Sequence, residues 1–241
     1  MAFTVAWVVD GRSFVGAGAC SSTLARLAAV LSPNERMRLQ GFLRPQRAGE
    51  FLLARLLMRH ALMQVSGCRL DDIAVSEPGG AAPVVRIAGE LADGVGQPTV
   101  SLSHSRGWIA CAVGVGTQIG VDIEAPAPER DLSALAELAF TPHELSSLEG
   151  LTGDQREAAF YRLWCAKEAD YKCRHNARQN QVALTVDAPS FLHHEPGAHY
   201  HLCLCTTVPV RLHPAQDIAL PTLLELTGSQ SNATPQQYDG G

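Results

Sequence analysis

Lysine is almost missing from this chain. Of the 19 lysine and arginine residues in 241, only Lys167 and Lys172 are lysines. The two cations are not equivalent: guanidinium is a rigid fork that stays charged, whereas ammonium is a compact point charge that burial can shift. A chain that uses arginine everywhere else has kept ammonium for one short stretch, WCAKEADYK, from Trp164 to Lys172. A long apolar run is also missing, so no segment is expected to span a bilayer. The opening MAFTVAWVVDG has no basic leader and reads as a strand rather than a signal peptide. The 7 cysteines are odd in number and lack a disulfide-framework spacing, which points to a reducing, cytoplasmic setting. Charged residues make up only 18% and hydrophobic residues 46%, an ordinary balance for a globular chain with a sizeable core.

The net charge of −5 hides an uneven distribution. Between Arg36 and Arg69 the only acid is Glu50, among arginines at 36, 38, 44, 47, 55, 59 and 69. Such a segment is either a solvated helix face or a dock for a polyanion or acidic partner.

Strands are expected at residues 3–9, 71–76, 84–87, 100–103, 108–115, 118–124, 182–187, 199–208 and 210–213. Helices are expected at residues 24–31, from Ser32 to about Gly41, at 46–65, at 131–139, after Thr141, and from about Asp154 through Lys172. Ser32 with Glu35, Thr141 with Glu144, and Asp154 with Glu157 all have capping-box spacing. The stretch FLLARLLMRHALMQV is apolar around most of its girth, as in a buried helix. The tail from residue 227 is poor in large apolar residues and reads as disordered. A shift of 109 residues superposes Ser32 on Thr141 and Phe51 on Phe160. Each half is then a capped short helix followed by a long one, with strand-like sequence in front. The expected architecture is α+β, a pseudo-dimer of two similar halves (1–116 and 117–226), each a small, mainly antiparallel sheet packed on helices. A ligand would sit at the seam.

Asp122 and Glu124 of GVDIE share a strand face by period-two alternation. Alone they are as readily two solvated acids as ligands. Glu168 lies four residues before Lys172, which makes either a simple helix-surface pair or part of a site. Phe160, Trp164, Glu168 and Lys172 form one row, as on a helix leaving a core for a cleft. Three carboxylates beside an ammonium suit magnesium, a hard cation that takes oxygen ligands and phosphate oxygens. Glu35 and Glu144 each have a ready structural role as a capping-box acid. His104 of SLSHS closes a strand, either as a plain turn residue or as a phosphate contact. His199, His201, Cys203 and Cys205 alternate onto one face, but C-x-C on a strand is poor zinc geometry.

In order, LSPNERMRLQGF, FLLARLLMR, SLSHS, GVDIE, FTPHE and WCAKEADYK resemble the phosphopantetheinyl transferases of the Sfp type, from about Ser32 to Lys172. The resemblance implies transfer of the 4'-phosphopantetheine arm of coenzyme A to a serine of an acyl or peptidyl carrier protein, releasing adenosine 3',5'-bisphosphate. It implies Asp122, Glu124 and Glu168 as magnesium ligands. It also implies that Glu168, directly or through a water and with or without Glu144, helps remove the serine proton. Lys172 would neutralise the phosphoryl group in flight, and Lys167 is the motif's other lysine. His104, with Ser103 nearby, matches a position that meets the 3'-phosphate of coenzyme A. Arg38 and Arg55 would face the same anionic end. The chain departs from the pattern at GGAAP (Gly79 to Pro83), which lacks the usual basic residue, at Glu50, and at CRHNARQNQ after Lys172. A monomer binding neither nucleic acid nor membrane is expected. Two other readings stay open: a magnesium-dependent nucleotide phosphohydrolase, or a catalytically silent module that binds coenzyme A or a carrier.

Overall fold

The computed structural model describes residues 1–17, 21–77, 82–88, 96–180, 182 and 188–226. The expected strand at 182–187, most of GGAAP and the tail from 227 lie outside the described residues or are barely covered by them. The first half runs β1 (Phe3–Asp10), α1 (Arg12–Ala17), α2 (Ser21–Ala28), α3 (Pro33–Gln40), α4 (Pro45–Ser66), β2 (Ile73–Ser76), β3 (Val84–Ile87), β4 (Thr99–Ser105) and β5 (Trp108–Val115). The second runs β6 (Ile119–Glu124), α5 (Leu132–Ala139), α6 (Pro142–Ser147), α7 (Gly153–Gln179), β7 (Phe191–Pro196) and β8 (His201–Thr206). The chain then continues through β9 (Arg211–Leu212), β10 (Gln216–Ile218) and α8 (Leu220–Leu224).

The repeat is legible in the topology. In each half the opening strand pairs antiparallel with the last strand of a later hairpin, giving the orders β1-β5-β4 and β6-β8-β7. Among the helices between them, α3 matches α6 and α4 matches α7. The halves are not separate along the chain, however. β9 and β10 return to pair in parallel with β1, and α8 packs into the first core, so residues 211–226 belong spatially with the first sheet.

Alternation sorts the side chains into layers. Val5, Trp7 and Val9 of β1, with Ile109, Cys111 and Val113 of β5, face α4. Ala6, Val8, Ala110 and Ala112 point the other way, against Ile119, Val121, Ile123, Leu202 and Leu204 of the second sheet. Alanines on the first sheet let the two sheets pack closely. The far face of the second sheet carries Cys203 and Cys205 against Cys165, Ala169 and Cys173 of α7. The order is helix, sheet, sheet, helix. The four cysteines form an apolar cluster, with burial pushing the Cys203 thiol up to about 12. His199 leaves the expected face: it precedes β8 and stacks on Trp108 at 6.2 Å, while His201 stacks on Tyr161 at 5.3 Å. Among the described residues no helix is long and apolar enough to cross a membrane.

Several elements differ from expectation for local reasons. β7 (FLHHEP) has little β-branched character, and its strand state comes from pairing with β8. α1 and α8 are too short to show a helical period. Asp154 lies inside α7, whose N-cap is Thr152 without a side-chain cap bond. The capping boxes of Ser32 with Glu35 and Thr141 with Glu144 are both formed.

One glycine sets the distance between α7 and the second sheet. A Cβ on Gly120 would fall on the Ala169 carbonyl oxygen and the Cys173 backbone nitrogen. Neither is a side chain that can rotate away. Gly120→Ala is therefore expected to destabilise the fold by roughly 3 kcal/mol, the upper end of ordinary overpacking costs, measured by urea denaturation. An unchanged midpoint would show that the helix can lift away freely.

Candidate active site at the seam

β4 and β6 are edge strands of their sheets, and no backbone ladder joins them. The serines of SLSHS join them instead. Ser101 Oγ accepts from the Val121 N–H at 3.0 Å. Ser103 Oγ donates to Asp122 Oδ1 at 2.8 Å. Ser105 Oγ donates to Glu124 Oε2 at 2.7 Å and accepts from the Ala125 N–H at 3.2 Å. Alternation puts all three on one strand face, while Val100 and Leu102 pack against the first core. His104 turns the same way as those two, towards α4. Ser103 and His104 thus serve opposite faces of one strand.

α7 lies across this seam. Phe160 and Trp164 stack at 5.7 Å in the apolar cluster with Phe140. Two turns on, Lys172 reaches Asp122 and borders the cleft, so the row does pass from core to cleft. The Lys172 ammonium donates to Asp122 Oδ1 (2.7 Å), Ser103 Oγ (3.0 Å) and the Val121 carbonyl (3.1 Å). That uses all three of its protons. Asp122 is 4% exposed, and its Oδ2 is buried without a hydrogen-bond partner. Glu124 is held by Ser105 and by Arg130 Nη1 at 3.0 Å. Burial raises the Glu124 carboxyl, against the opposing pull of the Ser105 hydroxyl and Arg130. Glu168 is half-buried and makes no hydrogen bond or ion pair with any described residue.

The expected three-carboxylate cluster is not closed. Asp122 and Glu124 share one strand end, but lysine and arginine hold them. Among the described residues no three His, Cys, Asp or Glu side chains gather as a metal-holding group. The donor chemistry nevertheless fits a hard cation: a buried, unpartnered Asp122 oxygen and an unpartnered Glu168 on the helix packed against β6.

Glu144 keeps its capping role, with Oε2 accepting from the Thr141 N–H at 2.7 Å. It also pairs with Lys167 Nζ at 2.8 and 3.1 Å, tying α6 to α7. Burial raises its carboxyl, but Lys167 and the Thr141 groups outweigh that and lower it. The matching acid of the first half, Glu35, has a different partner. Arg59 forms a bidentate pair with it at 2.6 and 3.1 Å, and Arg55 adds a charge contact at 3.2 Å. The repeat aligns Arg59 with Glu168. In the second half the capping acid's partner comes from the preceding position, Lys167, which releases position 168 to carry an unpaired acid.

The arginine-rich segment forms one wall of a cleft of about 380 Å³ between α4, β4 and α7, bordered by Arg38, Arg47, Arg55, His104 and Lys172. Arg55 is 4% exposed and held by Glu35 and Glu77, so it cannot swing freely to a ligand. Arg38 pairs with Glu77 at 2.7 Å, and both guanidiniums lie over Phe51. Arg47 is the most exposed of the three arginines, its side chain 50% exposed against 40% for Arg38 and 5% for Arg55. It was one arginine among seven in the sequence, and here it contacts Glu50 at 2.8 Å and the His104 ring at 3.1 Å. Burial lowers the His104 imidazole, with Glu50 opposing and Arg47 and Lys172 reinforcing the shift. Glu77, Ser101, Ser105 and Arg130 were given no role by sequence reasoning. The two serines were within reach through the period of SLSHS. Arg130, in a loop after APAPE, had no signal.

Two repeated lobes meet at a polar seam whose cleft is walled by cations. Comparison with known proteins gives the chemistry. The sequence profile of the 4'-phosphopantetheinyl transferase superfamily matches residues 118–216. The 4'-phosphopantetheinyl transferase HetI of Nostoc sp. is 30% identical over 182 residues, covering 73% of this chain and 74% of that protein. A putative 4'-phosphopantetheinyl transferase of Synechocystis sp. is 32% identical over 145 residues, covering 60% of this chain and 56% of its own length. A 4'-phosphopantetheinyl transferase of Bacillus subtilis is 30% identical over 147 residues, 61% of each chain. The chain belongs to the 4'-phosphopantetheinyl transferase family. It is a transferase that places phosphopantetheine on carrier proteins, with coenzyme A as the family's donor.

The Glu35 network carries a stability prediction. Burial raises the Glu35 carboxyl, but the Arg59 bond and charge, the Ser32 N–H and Arg55 together hold it below its ordinary value. Its contribution is therefore complete above the unfolded value of 4.5 and is lost as pH falls through the depressed folded value. Glu35→Gln should cost about 3–5 kcal/mol at pH 7, because buried Arg59 loses its carboxylate partner and Arg55 keeps only Glu77. It should also flatten the fall in stability below pH 4.5, read from denaturant midpoints across pH. An equally steep acid limb in the variant would assign that limb to other groups.

Proposed function

We propose that the seam transfers phosphopantetheine from coenzyme A to a carrier serine with Asp122, Glu124 and Glu168 as the acidic set. Glu168 would be the base, Lys172 the charge-neutralising ammonium, and His104 with Arg47 and Arg38 the contacts for the anionic nucleotide end. One observation carries the reading: among the described residues Glu168 has no hydrogen-bond or ion-pair partner, on the same helix as Lys172, which holds Asp122, and Lys167, which is taken up by Glu144 of α6. Magnesium, when bound by these carboxylates, would neutralise the diphosphate and so improve the leaving group.

In the step itself the serine oxygen forms a bond to the phosphorus that carries the pantetheine arm. The bond from that phosphorus to the bridging oxygen breaks, and its electron pair leaves with adenosine 3',5'-bisphosphate. The serine proton passes to Glu168, directly or through a water. The nucleophile is a neutral hydroxyl, so a base is required, and most of the remaining work in phosphoryl transfer is positioning and charge neutralisation. Lys172 must give up one of its three acceptors to meet a phosphoryl oxygen. The Ser103 hydroxyl is the neutral one of the three side-chain and backbone acceptors that can rotate, which makes it the exchangeable partner. Glu144 acts as a positioning residue, holding Lys167 and with it the pitch of α7.

The carrier assay tests this. Wild-type protein with coenzyme A, magnesium and an apo carrier should add the mass of phosphopantetheine to the carrier, and a chelator should stop the reaction until magnesium is restored. Glu168→Gln should lower kcat/KM by about 10²-fold or more, the usual range for removing a general base, with an unchanged melting temperature because Glu168 has no partner to lose among the described residues. Near-full activity in that variant would remove both its metal and its base role. Release of phosphate without a carrier would favour a phosphohydrolase instead.

A further inference from the structure

The two acids at the end of β6 are held in the same way, each by only one of its oxygens. Ser103 Oγ (2.8 Å) and Lys172 Nζ (2.7 Å) both donate to Asp122 Oδ1. Ser105 Oγ (2.7 Å) and Arg130 Nη1 (3.0 Å) both donate to Glu124 Oε2. The other oxygens are left over. Asp122 Oδ2 is buried without a hydrogen-bond partner, and no described residue bonds Glu124 Oε1. The match follows from the strands. Ser103 and Ser105 share one face of β4, as Asp122 and Glu124 share one face of β6, and each serine lies 19 residues before its acid. With both edges running the same way, every acid receives one hydroxyl.

Each clamp is completed by a cation from outside the two strands. Lys172 comes from α7. Arg130 comes from the loop between β6 and α5, and that loop is pinned on both sides of the seam. The Ala127 N–H donates to the buried Tyr161 hydroxyl of α7 at 3.1 Å, and the Arg130 N–H closes a turn on the Ala127 carbonyl at 3.0 Å. Glu129, one residue before Arg130, pairs with Arg106 of the first lobe. The guanidinium is thus delivered to Glu124 by a fixed backbone. Two donors on one oxygen use its two lone pairs, so each acid offers a ligand a single oxygen rather than both.

That restriction discriminates between hard cations. Calcium takes about six to eight oxygens in a flexible shell and often both oxygens of one carboxylate, whereas magnesium keeps a near-octahedral shell of few carboxylates, waters and phosphate oxygens. Two acids clamped to single oxygens suit the smaller ion and leave the larger one short of ligands, and no third side chain is needed for the difference. We propose that Ser105 and Arg130 are positioning residues that hold Glu124 to one ligand oxygen, the counterpart of Ser103 and Lys172 at Asp122, and that this double clamp selects magnesium or manganese over calcium. The clamp presupposes that Asp122 and Glu124 bind the divalent ion as proposed above. It adds a selectivity determinant that lies outside both GVDIE and WCAKEADYK.

Manganese(II) alone is the probe. Its free concentration over the intact chain is read by electron paramagnetic resonance, with magnesium and calcium titrated in turn as competitors. In the wild type, calcium should displace manganese only at concentrations well above those of magnesium. Arg130→Met removes both donor and charge at a side chain that is 35% exposed, and should narrow that gap by about tenfold, the lower end of the range for outer-shell substitutions. Arg130→Lys should restore part of it. Ser105→Ala should act in the same direction, but there the Ala125 N–H also loses its acceptor, so Arg130→Met carries the test if that variant folds poorly. A calcium-to-magnesium ratio unchanged in Arg130→Met, or a change of all three affinities by one common factor, would overturn the clamp and leave the acidic set standing. A wild-type protein that takes up no more manganese than Asp122→Asn would overturn the acidic set, and the clamp with it.

Discussion

The structure depends on how two unpaired sheet edges meet. An edge strand exposes backbone donors and acceptors and invites the wrong partner. Here β4 and β6 present edges to one another, and serine hydroxyls close the gap. A hydroxyl both donates and accepts. Ser101 and Ser105 can therefore satisfy backbone N–H groups while Ser103 and Ser105 donate to carboxylates. An apolar residue at any of these positions would leave a buried carboxylate or amide without its partner, which costs more than the bond itself is worth. The acids can be sheltered at the seam because hydroxyls and one ammonium accompany them.

The choice of cation follows the same logic. Where charge is buried for good, the chain uses arginine, whose fork grips both oxygens of Glu35 from Arg59. The two lysines present compact point charges instead, Lys167 to Glu144 and Lys172 to Asp122. The internal repeat shows how an asymmetric site came from a symmetric plan. Glu35 and Glu144 occupy matching capping positions, yet their partners, Arg59 and Lys167, differ by one place along the matching helices. That single displacement leaves Glu168 without a partner among the described residues.

Much of this was legible in advance. The capping boxes at Ser32 and Thr141, the buried helix around Leu56, the strand bearing Asp122 and the repeat of 109 residues rest on local chemistry: side chains bonding to their own backbone, or a period imposed by a helix or strand. Family membership was legible from GVDIE and WCAKEADYK together. β7 was missed because pairing rather than propensity makes it a strand. The burial of Arg55 was missed because nothing local shows that Glu77, in the segment after β2, folds back over it. Arg38 and Arg55 looked like free cations, and their partners were distant in the chain.

The sequence by itself determined the element types, the pairing of Asp122 with Glu124 on one strand face, and the row from Phe160 to Lys172, since each follows from the geometry of a single helix or strand. Only the tertiary structure decided which charges are neutralised and which remain available. An ion pair joins residues that the chain keeps far apart, such as Lys172 and Asp122 across 50 positions. No local period records that proximity; it exists only once Gly120 has let α7 settle against β6 and the serines have drawn the two lobes together.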